Sequence, residues 1–315
     1  MEPDFPSDLA TPVTGARAPG GDATAGLHGS LADLIERYPE GFLGADRAAE
    51  WGSTALLVKL LDAAARLSLQ IHPSGDHPGL GPEQSGKQEV WVILHAAAGA
   101  GVHLGLAEGV DETSLRLTLD QGGDVGALLN FVEVVPGDVL VIDAGIPHAV
   151  GAGITLIEPQ RVLPGRRGVT YRYWDWDRRY DAHGRLDRAG ASRPLQLEQA
   201  LSATRWDGPR GSELVQSLRR RHGPGDLEGP ARRVDLISGL DFPWVGVERL
   251  VGTGRLQLPA KGRLRGLTVV EGRLDLVDGS YRDSLRMGQT AALPAGLPAL
   301  EVELEAACAL VSWIP

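Results

Sequence analysis

Short apolar runs, some alternating with polar residues and some continuous, recur along most of the chain with glycine and proline between them. Between residues 66 and 160 the runs read RLSLQIHP, EVWVILHA, VHLGLAEG, GALLNFVEV, VVPGDVLVIDAG and ITLIEPQ. Runs of this length that are bounded by turn residues predict β-strands. Several short strands in series are typical of a sandwich or a barrel, so we predict a mainly β protein.

A few short helices are predicted beside these strands. Ser30 supplies a hydroxyl that can cap a helix start, and Asp33 places an acid in the first turn, which predicts a short helix near 30–38. Asp111 caps a second predicted helix in DETSLRLTLDQG. The run STALLVKLLDA at 53–63 fits a strand and a helix equally well.

The pattern divides the chain into four stretches. The start is rich in proline, glycine, alanine and threonine and has little periodicity, which is typical of a poorly structured segment. A charged, helix-prone stretch that contains LQLEQALSA separates two series of β runs. We predict an N-terminal segment at 1–28, a first β domain at 29–193, a helical linker at 194–234 and a second β domain at 235–315.

Composition limits the class of protein. The 315 residues are 43% hydrophobic, which is enough to fill a core in each of two domains. A formal net charge of −10 argues against a nucleic-acid partner. No run reaches the roughly 18 uncharged apolar residues of a membrane span, and MEPDFPSDL lacks the features of a secretion signal. We therefore expect a soluble, cytoplasmic protein, whose oligomeric state the sequence does not reveal.

Four potential metal ligands fall on or beside strands of the first β domain. Gln70 and His72 are two residues apart in a predicted strand, so their side chains point to the same face. The next strand carries Glu89, and His148 follows the strand in PGDVLVIDAGIPHAVG. Imidazole nitrogen and carboxylate oxygen suit zinc, and also cobalt or manganese. The stretch 235–315 contains no histidine, so we do not expect a similar site there.

Several longer segments resemble type I mannose-6-phosphate isomerase. They are RLSLQIHP, GKQEVWVIL, LLNFVEVVPGDVLVIDAGIPHAVGAGITLIEPQ and VTYRYWDWDR, and the resemblance is close over about residues 30–200. It implies two cupin-type, jelly-roll β-barrels with a few short helices. It also implies that one zinc ion per chain is bound by the equivalents of the family's ligands, which are Gln70, His72, Glu89 and His148.

The same resemblance implies an activity and the residues that perform it. Family members interconvert mannose 6-phosphate and fructose 6-phosphate through an enediol or enediolate, so the expected partner is a phosphorylated hexose. Such a reaction needs an electrophile, a positioned acid/base and a cationic group for the phosphate. Lys87 and Arg172 match the family's active-site lysine and arginine, and Glu158 matches a glutamate of its pocket. We expect these three residues to be catalytic.

The sequence departs from the family in two places. The family's Ile-Trp-Gly-Gly-type motif and Gly-Glu-x-Trp-Glu segment have no counterpart, so we expect the first barrel to lack an edge. After Gln160 the family's Gln-Gln-x-Ser-Asp is replaced by QRVLPGRRG. Its arginines, Arg161, Arg166 and Arg167, either bind phosphate in another way or coat a loop.

Three alternatives for function stay open. The first is a non-catalytic cupin that binds sugar phosphate or metal and has lost its N-terminal strands, and the second is an isomerase of another sugar phosphate. The third is an iron-dependent cupin oxygenase, which needs two histidines and a carboxylate. Three further histidines, His77, His95 and His103, match nothing in the family, and we expect them to face solvent.

Overall fold

The computed structural model of the protein describes residues 16–17, 26–27, 29–279 and 281–315. The chain forms two compact units. The central unit is Lys59–Pro224, and the flanking unit combines Met1–Val58 with Gly225–Pro315. The prediction of a poorly structured segment at 1–28 falls largely outside the described residues.

Six short α-helices lie within the described residues. They are α1 Leu31–Arg37, α2 Pro39–Leu43, α3 Ala45–Trp51, α4 Glu112–Asp120, α5 Leu197–Ala203 and α6 Gly211–Leu218. Both helix starts predicted from the sequence are confirmed. Ser30 and Asp33 exchange side-chain and backbone hydrogen bonds at the start of α1, and Asp111 and Ser114 do the same at α4.

The strands are mostly short, and three of them are long. The first half of the chain contains β1 Ala16–Arg17, β2 Gly26–Leu27, β3 Leu56–Ala63, β4 Leu69–Ile71, β5 Gln84–Ser85, β6 Gln88–Ala96, β7 Gly101–Leu106, β8 Leu129–Glu133, β9 Asp138–Ile142, β10 His148–Val150 and β11 Ile154–Arg161. The second half contains β12 Arg167–Gly168, β13 Tyr171–Trp174, β14 Arg179–Tyr180, β15 Ala191–Ser192, β16 Arg219–Arg221, β17 Arg232–Ile237, β18 Gly246–Leu258, β19 Arg265–Asp278, β20 Tyr281–Arg286, β21 Thr290–Leu293 and β22 Leu300–Trp313.

The main strands of the central unit form two five-stranded sheets. One has the order β13-β4-β10-β7-β8 and the other the order β16-β9-β6-β11-β3. Strands from both sheets contribute to one core, which includes Trp91, Leu104, Leu140, Val150 and Leu156. The prediction of a mainly β, jelly-roll type of fold is confirmed. Among the described strands, however, hydrogen bonding gives two open sheets that enclose a core and not a closed barrel.

A second core covers the outer face of the first of these sheets. Leu69 and Ile71 of β4 and Tyr173 of β13 pack there against α5. Tyr173 donates its hydroxyl hydrogen to the carbonyl of Ala200 on α5, at 3.0 Å. Because this face of β4 is filled with apolar side chains, its other face is left for polar residues.

The flanking unit contains a six-stranded sheet in which β17, β18, β22, β19 and β20 are neighbours and β21 pairs with β19. The three long strands carry irregularities in register, at Gly252/Gly254 on β18 and at Glu271/Arg273 on β19. Such bulges bend strands. Core residues from both halves of these strands, such as Leu250 and Leu258 of β18, therefore belong to one cluster.

No helix within the described part of the chain is long and apolar enough to cross a membrane.

Candidate functional site

The inward face of two central strands changes from apolar to polar along its length. On β6 the core residue Trp91 is preceded, two positions earlier on the same face, by Glu89. On β11 the core residue Leu156 is followed on the same face by Glu158 and Gln160. Glu89 and Gln160 are fully buried and Glu158 is 4% exposed. One end of the space between the sheets is therefore lined by polar groups that are shielded from bulk water.

The facing sheet places three more polar side chains at this end. Gln70 lies in β4 with its apolar neighbours turned to the outer core, and His72 follows two positions later on the same face. His148 begins β10 and is the register partner of Gln70. The turn before His148 is held by a hydrogen bond from the Gly145 N–H to the carbonyl of His72, at 2.9 Å.

The ligand atoms of His72, Glu89 and His148 all lie within 4.8 Å of one another. Nε2 of His72 is 3.3 Å from Oε2 of Glu89, and Nε2 of His148 is 3.5 Å from Oε1. The Gln70 amide lies 3.5 Å from Nε2 of His148, and a half-turn of that amide places its oxygen there. Ligand atoms about 2.1 Å from a tetrahedral ion are about 3.4 Å apart. The separations therefore fit one divalent metal ion.

Backbone carbonyls orient both imidazoles toward this point. The Nδ1 of His72 lies 3.1 Å from the carbonyl oxygen of Val169, and that of His148 lies 2.8 Å from the carbonyl oxygen of Ile146. A proton on each Nδ1 satisfies these carbonyls and leaves a lone pair on each Nε2. Nε2 of His72 is buried and makes no hydrogen bond with any described residue. A metal ion would satisfy that atom.

The protonation states also suit a cation. Burial, followed by the nearby charge of Lys87, lowers the pKa of His72 to about 3, and burial lowers the pKa of His148. Burial alone would raise the pKa of Glu89, but His72 and Lys87 outweigh it and hold that pKa well below its ordinary value. At neutral pH the cluster therefore presents two neutral imidazoles and one carboxylate, which are the forms that bind metal.

Three residues hold the Glu89 carboxylate in place. The indole N–H of Trp91 donates to Oε1 at 3.0 Å, and the Gln160 amide donates to Oε2. The ammonium nitrogen of Lys87 lies 3.8 Å from Oε2. Partners of this kind fix the orientation of a ligand before the metal binds.

The sequence is similar to mannose-6-phosphate isomerases, although no protein-family model matches it. Mannose-6-phosphate isomerase ManA of Bacillus subtilis is 28% identical over 254 residues, which cover 80% of this chain and 73% of ManA. The probable mannose-6-phosphate isomerase GmuF of the same organism is 34% identical over 250 residues, which cover 79% of this chain and 71% of GmuF. The chain belongs to the mannose-6-phosphate isomerase family. The resemblance found in the sequence motifs is confirmed.

Solved structures of the mannose-6-phosphate isomerase family share the fold. The crystal structure of the Bacillus subtilis enzyme has a TM-score of 0.71 at 23% identity and covers 94% of this chain and 84% of that one. The Salmonella typhimurium enzyme, whose structure holds fructose 6-phosphate and zinc, has a TM-score of 0.62 at 16% identity and covers 92% and 87%.

Two of the three predicted catalytic residues of this family member lie beside the candidate metal centre. Lys87 is 7% exposed and contacts Glu89 as described above. The indole N–H of Trp91, which donates to Glu89, also donates to Oε1 of Glu158, at 3.0 Å. Oε2 of Glu158 lies 3.4 Å from Nζ of Lys59. Burial, followed by the charge of Glu89, raises the pKa of Glu158 to about 7.

The third predicted residue, Arg172, lies on the neighbouring strand β13 as the register partner of Gln70. Residues directly opposite each other on neighbouring strands project their side chains to the same face. The guanidinium of Arg172 donates through Nη1 to the carbonyl of Pro194 at 3.2 Å, and its backbone N–H donates to Gln196 at 3.1 Å. Arg172 is thus a neighbour of a candidate ligand and is anchored from the segment before α5.

Reasoning from the sequence missed three members of this site: Lys59, Trp91 and Gln160. Lys59 shares the inward face of β3 with two residues that pack on the core, Leu61 and Ala63. A signal was present, because a lysine that alternates with apolar residues is unusual on a buried face. That signal needed the strand assignment of 53–63, which the pattern alone left open.

The further histidines lie outside the cluster. His95 is exposed, as expected. His77 is half-buried, and its Nε2 lies 3.3 Å from the Ser202 hydroxyl. The expectation that His103 faces solvent is wrong, because its ring packs between Phe131 and Trp176, with centroid distances of 5.4 and 5.1 Å.

Proposed function

We propose that this chain is a metal-dependent aldose-ketose isomerase that interconverts mannose 6-phosphate and fructose 6-phosphate. In this proposal one zinc ion per chain binds to Gln70, His72, Glu89 and His148. The observation that carries the proposal is the convergence of three buried ligand atoms in their metal-binding protonation states. Support for the substrate comes from the activity named for the relatives in the same family.

Zinc is favoured by the chemistry of the ligands. Two neutral imidazoles and one carboxylate are a typical set for a catalytic zinc site, in which a further position remains for water or substrate. The oxygen of the Gln70 amide would be a fourth protein ligand, so water or substrate would bind as a fifth ligand. When bound, the ion acts as a Lewis acid that stabilises negative charge on a substrate oxygen. The zinc in the related Salmonella typhimurium structure supports this choice.

In the proposed reaction a proton leaves C2 of the open-chain aldose and is returned to C1, while the hydroxyl proton at O2 moves to O1. Substrate and product have the same atoms and electrons, so no co-reactant is needed. We assign the carbon-to-carbon transfer to Glu158. With a pKa of about 7 its carboxyl is similarly populated in both protonation states near neutral pH, which suits a group that must accept and then release a proton.

The cationic residues complete the assignment. Lys87 keeps the Glu89 carboxylate ionised and adds positive charge beside the site, where an enediolate oxygen would develop negative charge. Arg172 keeps its charge at every relevant pH, so it can stabilise the anionic substrate without titrating. The chain carries a net charge of −10, which would repel a phosphorylated hexose, so binding depends on such local cations.

Two variants test the separate roles of metal ligand and cation. Fructose 6-phosphate formation from mannose 6-phosphate is measured in a coupled assay on protein of known zinc content. We expect His148→Ala to lose both zinc and turnover, and Arg172→Ala to keep zinc while turnover falls by about 100-fold. Arg166→Ala, on an exposed loop position, is the control and should keep full turnover.

One result would overturn the proposal, and two others would change the residues assigned to it. Wild-type protein that carries one zinc per chain but forms no fructose 6-phosphate would indicate a binding protein or an isomerase of another sugar phosphate. Turnover that is unchanged in Arg172→Ala would remove that residue from the mechanism. Loss of turnover in Arg166→Ala would instead move the phosphate-binding role to the loop after β11.

A further inference from the structure

The flanking unit contains a second polar cluster, at one end of its own apolar core. Leu250 of β18 and Leu267 of β19 belong to that core, as does Trp313 of β22. By the two-residue period of a strand, Glu248 shares the inward face of Leu250, and Arg265 shares that of Leu267. A carboxylate and a guanidinium therefore enter the interior from two strands that flank β22 on either side.

Arg265 is fully buried and has an unused pair of donors. Its Nη1 donates to the carbonyl of Pro259 at 2.8 Å, which fixes the plane of the guanidinium. Nε and Nη2 are buried and make no hydrogen bond with the described residues. These two N–H groups lie along one edge of the guanidinium and point the same way, which is the arrangement that binds two oxygens of one carboxylate or phosphate.

Glu248 contributes an unused acceptor. It is fully buried, and its Oε2 accepts a hydrogen bond from Nη2 of Arg233 at 2.9 Å. Nζ of Lys261 lies 3.9 Å from the same oxygen. The other carboxylate oxygen, Oε1, is buried and has no hydrogen bond within the described residues. Buried polar atoms are rarely left without partners, so two donors and one acceptor here call for a bound group.

The cationic rim of the cluster is partly exposed to solvent, whereas Nε and Nη2 of Arg265 and Oε1 of Glu248 are themselves buried. The side chains of Arg233 and Lys261 are 34% and 23% exposed. Nζ of Lys261 lies 3.9 Å from the centroid of the Trp313 ring. That ring covers Gly246, where any Cβ would come within 2.3 Å of it. The charge of Glu248 also acts on the Arg265 guanidinium. Three cations thus lie around one carboxylate beside the Trp313 ring, and the excess of positive charge favours an anion.

We propose that Arg265, Glu248, Arg233 and Lys261 form a binding site for inorganic phosphate. Two phosphate oxygens accept hydrogen bonds from Nε and Nη2 of Arg265, and the P–OH group donates to Oε1 of Glu248. The rim cations balance the remaining charge. The ligand must be a protonated oxyanion, because the site offers two hydrogen-bond donors and one acceptor. Sulfate at neutral pH carries no proton and cannot donate to that acceptor.

The test is calorimetric titration of the full chain with phosphate at constant ionic strength, because salt screens charge-based binding. We expect one phosphate per chain, with affinity at least fivefold above that for sulfate. Arg265→Lys keeps the charge but loses the two-donor edge, so its phosphate affinity should fall at least 10-fold. Glu248→Gln should reduce the preference for phosphate over sulfate, because an amide can donate to either anion.

Two controls separate this site from the candidate metal centre and from misfolding. Arg172→Ala should bind phosphate in the flanking unit as well as the wild type does. If Arg265→Lys does not fold, as judged by circular dichroism, the partly exposed Arg233→Ala takes its place and should weaken binding several-fold. Equal phosphate affinity in wild type and in the folded variants would overturn the proposal, as would loss of all phosphate binding in Arg172→Ala.

Discussion

The indole N–H of Trp91 is shared between two carboxylates, Glu89 and Glu158, at 3.0 Å from each. It therefore joins a proposed metal ligand to the proposed acid/base residue. An aromatic side chain without an N–H, as in Trp91→Phe, fills most of the same volume but leaves the Glu89 oxygen without this donor. Residues that orient metal ligands in this way commonly contribute about 10- to 100-fold in metal affinity.

We accordingly expect Trp91→Phe to bind zinc about 10- to 100-fold more weakly than the wild type, measured by competition with a chromophoric chelator. Trp206→Phe is the matched control, because that indole donates to the carbonyl of Leu201 and not to the site. Equal zinc affinity in Trp91→Phe and wild type would mean that the indole does not position Glu89.

The raised pKa of Glu158 predicts how the metal-free protein responds to pH. Its carboxyl titrates at about 7 in the folded state against an ordinary value of 4.5. The folded state therefore binds a proton that the unfolded state releases, and the stability from this residue is lost as pH rises from about 4.5 to about 7. The pKa difference corresponds to about 3 kcal/mol of unfolding free energy.

Glu158→Gln stays uncharged and removes this effect. In urea denaturation with a chelator present, we expect the variant to be about 3 kcal/mol more stable than the wild type at pH 8, and the difference to shrink below about 1 kcal/mol at pH 5. A constant difference at both pH values would show that Glu158 titrates normally.

At the scale of elements, the turn that leads into β9 depends on a glycine. Gly137 has a φ of +89°, and a Cβ at this position would lie 1.9 Å from the carbonyl oxygen of Gly223. Gly165 also has a positive φ, of +69°, but no atom of the described residues lies within 4 Å of where its Cβ would be. An alanine at Gly165 would suffer backbone strain alone, whereas an alanine at Gly137 would suffer backbone strain and steric overlap together.

We therefore expect Gly137→Ala to destabilise the fold by more than about 3 kcal/mol, because strain and overlap add. Gly165→Ala should cost only about 1 kcal/mol, from the backbone conformation alone. Chemical denaturation of both variants provides the measurement. A similar decrease in the free energy of unfolding in the two variants would show that Gly137 is not tightly packed at this turn.

The sequence predicted those elements whose stabilising contacts join residues that are close together in the chain. The caps at Ser30 and Asp111 lie within four residues of the partners they bond, so the sequence was sufficient for α1 and α4. The spacing of Gln70 and His72 placed both on one strand face for the same reason. The segment 53–63 was undecided because its apolar residues fit both periods, and pairing in a sheet made it the strand β3.

Residues brought together by distant pairing were harder to predict. Gln160 meets Glu89 only because β11 and β6 pair in that register, which places the two residues opposite each other. Arg172 meets Gln70 through the pairing of β13 with β4. Arg265 and Glu248 belong to no recognisable sequence motif. Their burial is evident only once β18, β22 and β19 are assembled into a sheet.

At the scale of the whole molecule, the two kinds of polar site belong to different units of the chain. The candidate zinc ligands lie in Lys59–Pro224, and the proposed phosphate site lies in the flanking unit. A ligand that binds only the folded state stabilises the structure around its site. Hydrogen exchange of the full chain should therefore show added protection on zinc binding in the central unit, with β18 and β19 unchanged. Zinc-dependent protection confined to those two strands would contradict the ligand assignment.

In the proposed reaction, turnover of a sugar phosphate depends on a metal held by His72, Glu89 and His148. The most direct test measures fructose 6-phosphate formation from mannose 6-phosphate by one preparation before chelation, after the chelator and metal are removed, and after one equivalent of zinc is returned. We predict that the untreated protein turns over substrate, that the metal-free protein does not, and that activity returns in proportion to the zinc that is bound again. Full turnover in metal-free protein, or none in zinc-loaded protein, would contradict this dependence on metal.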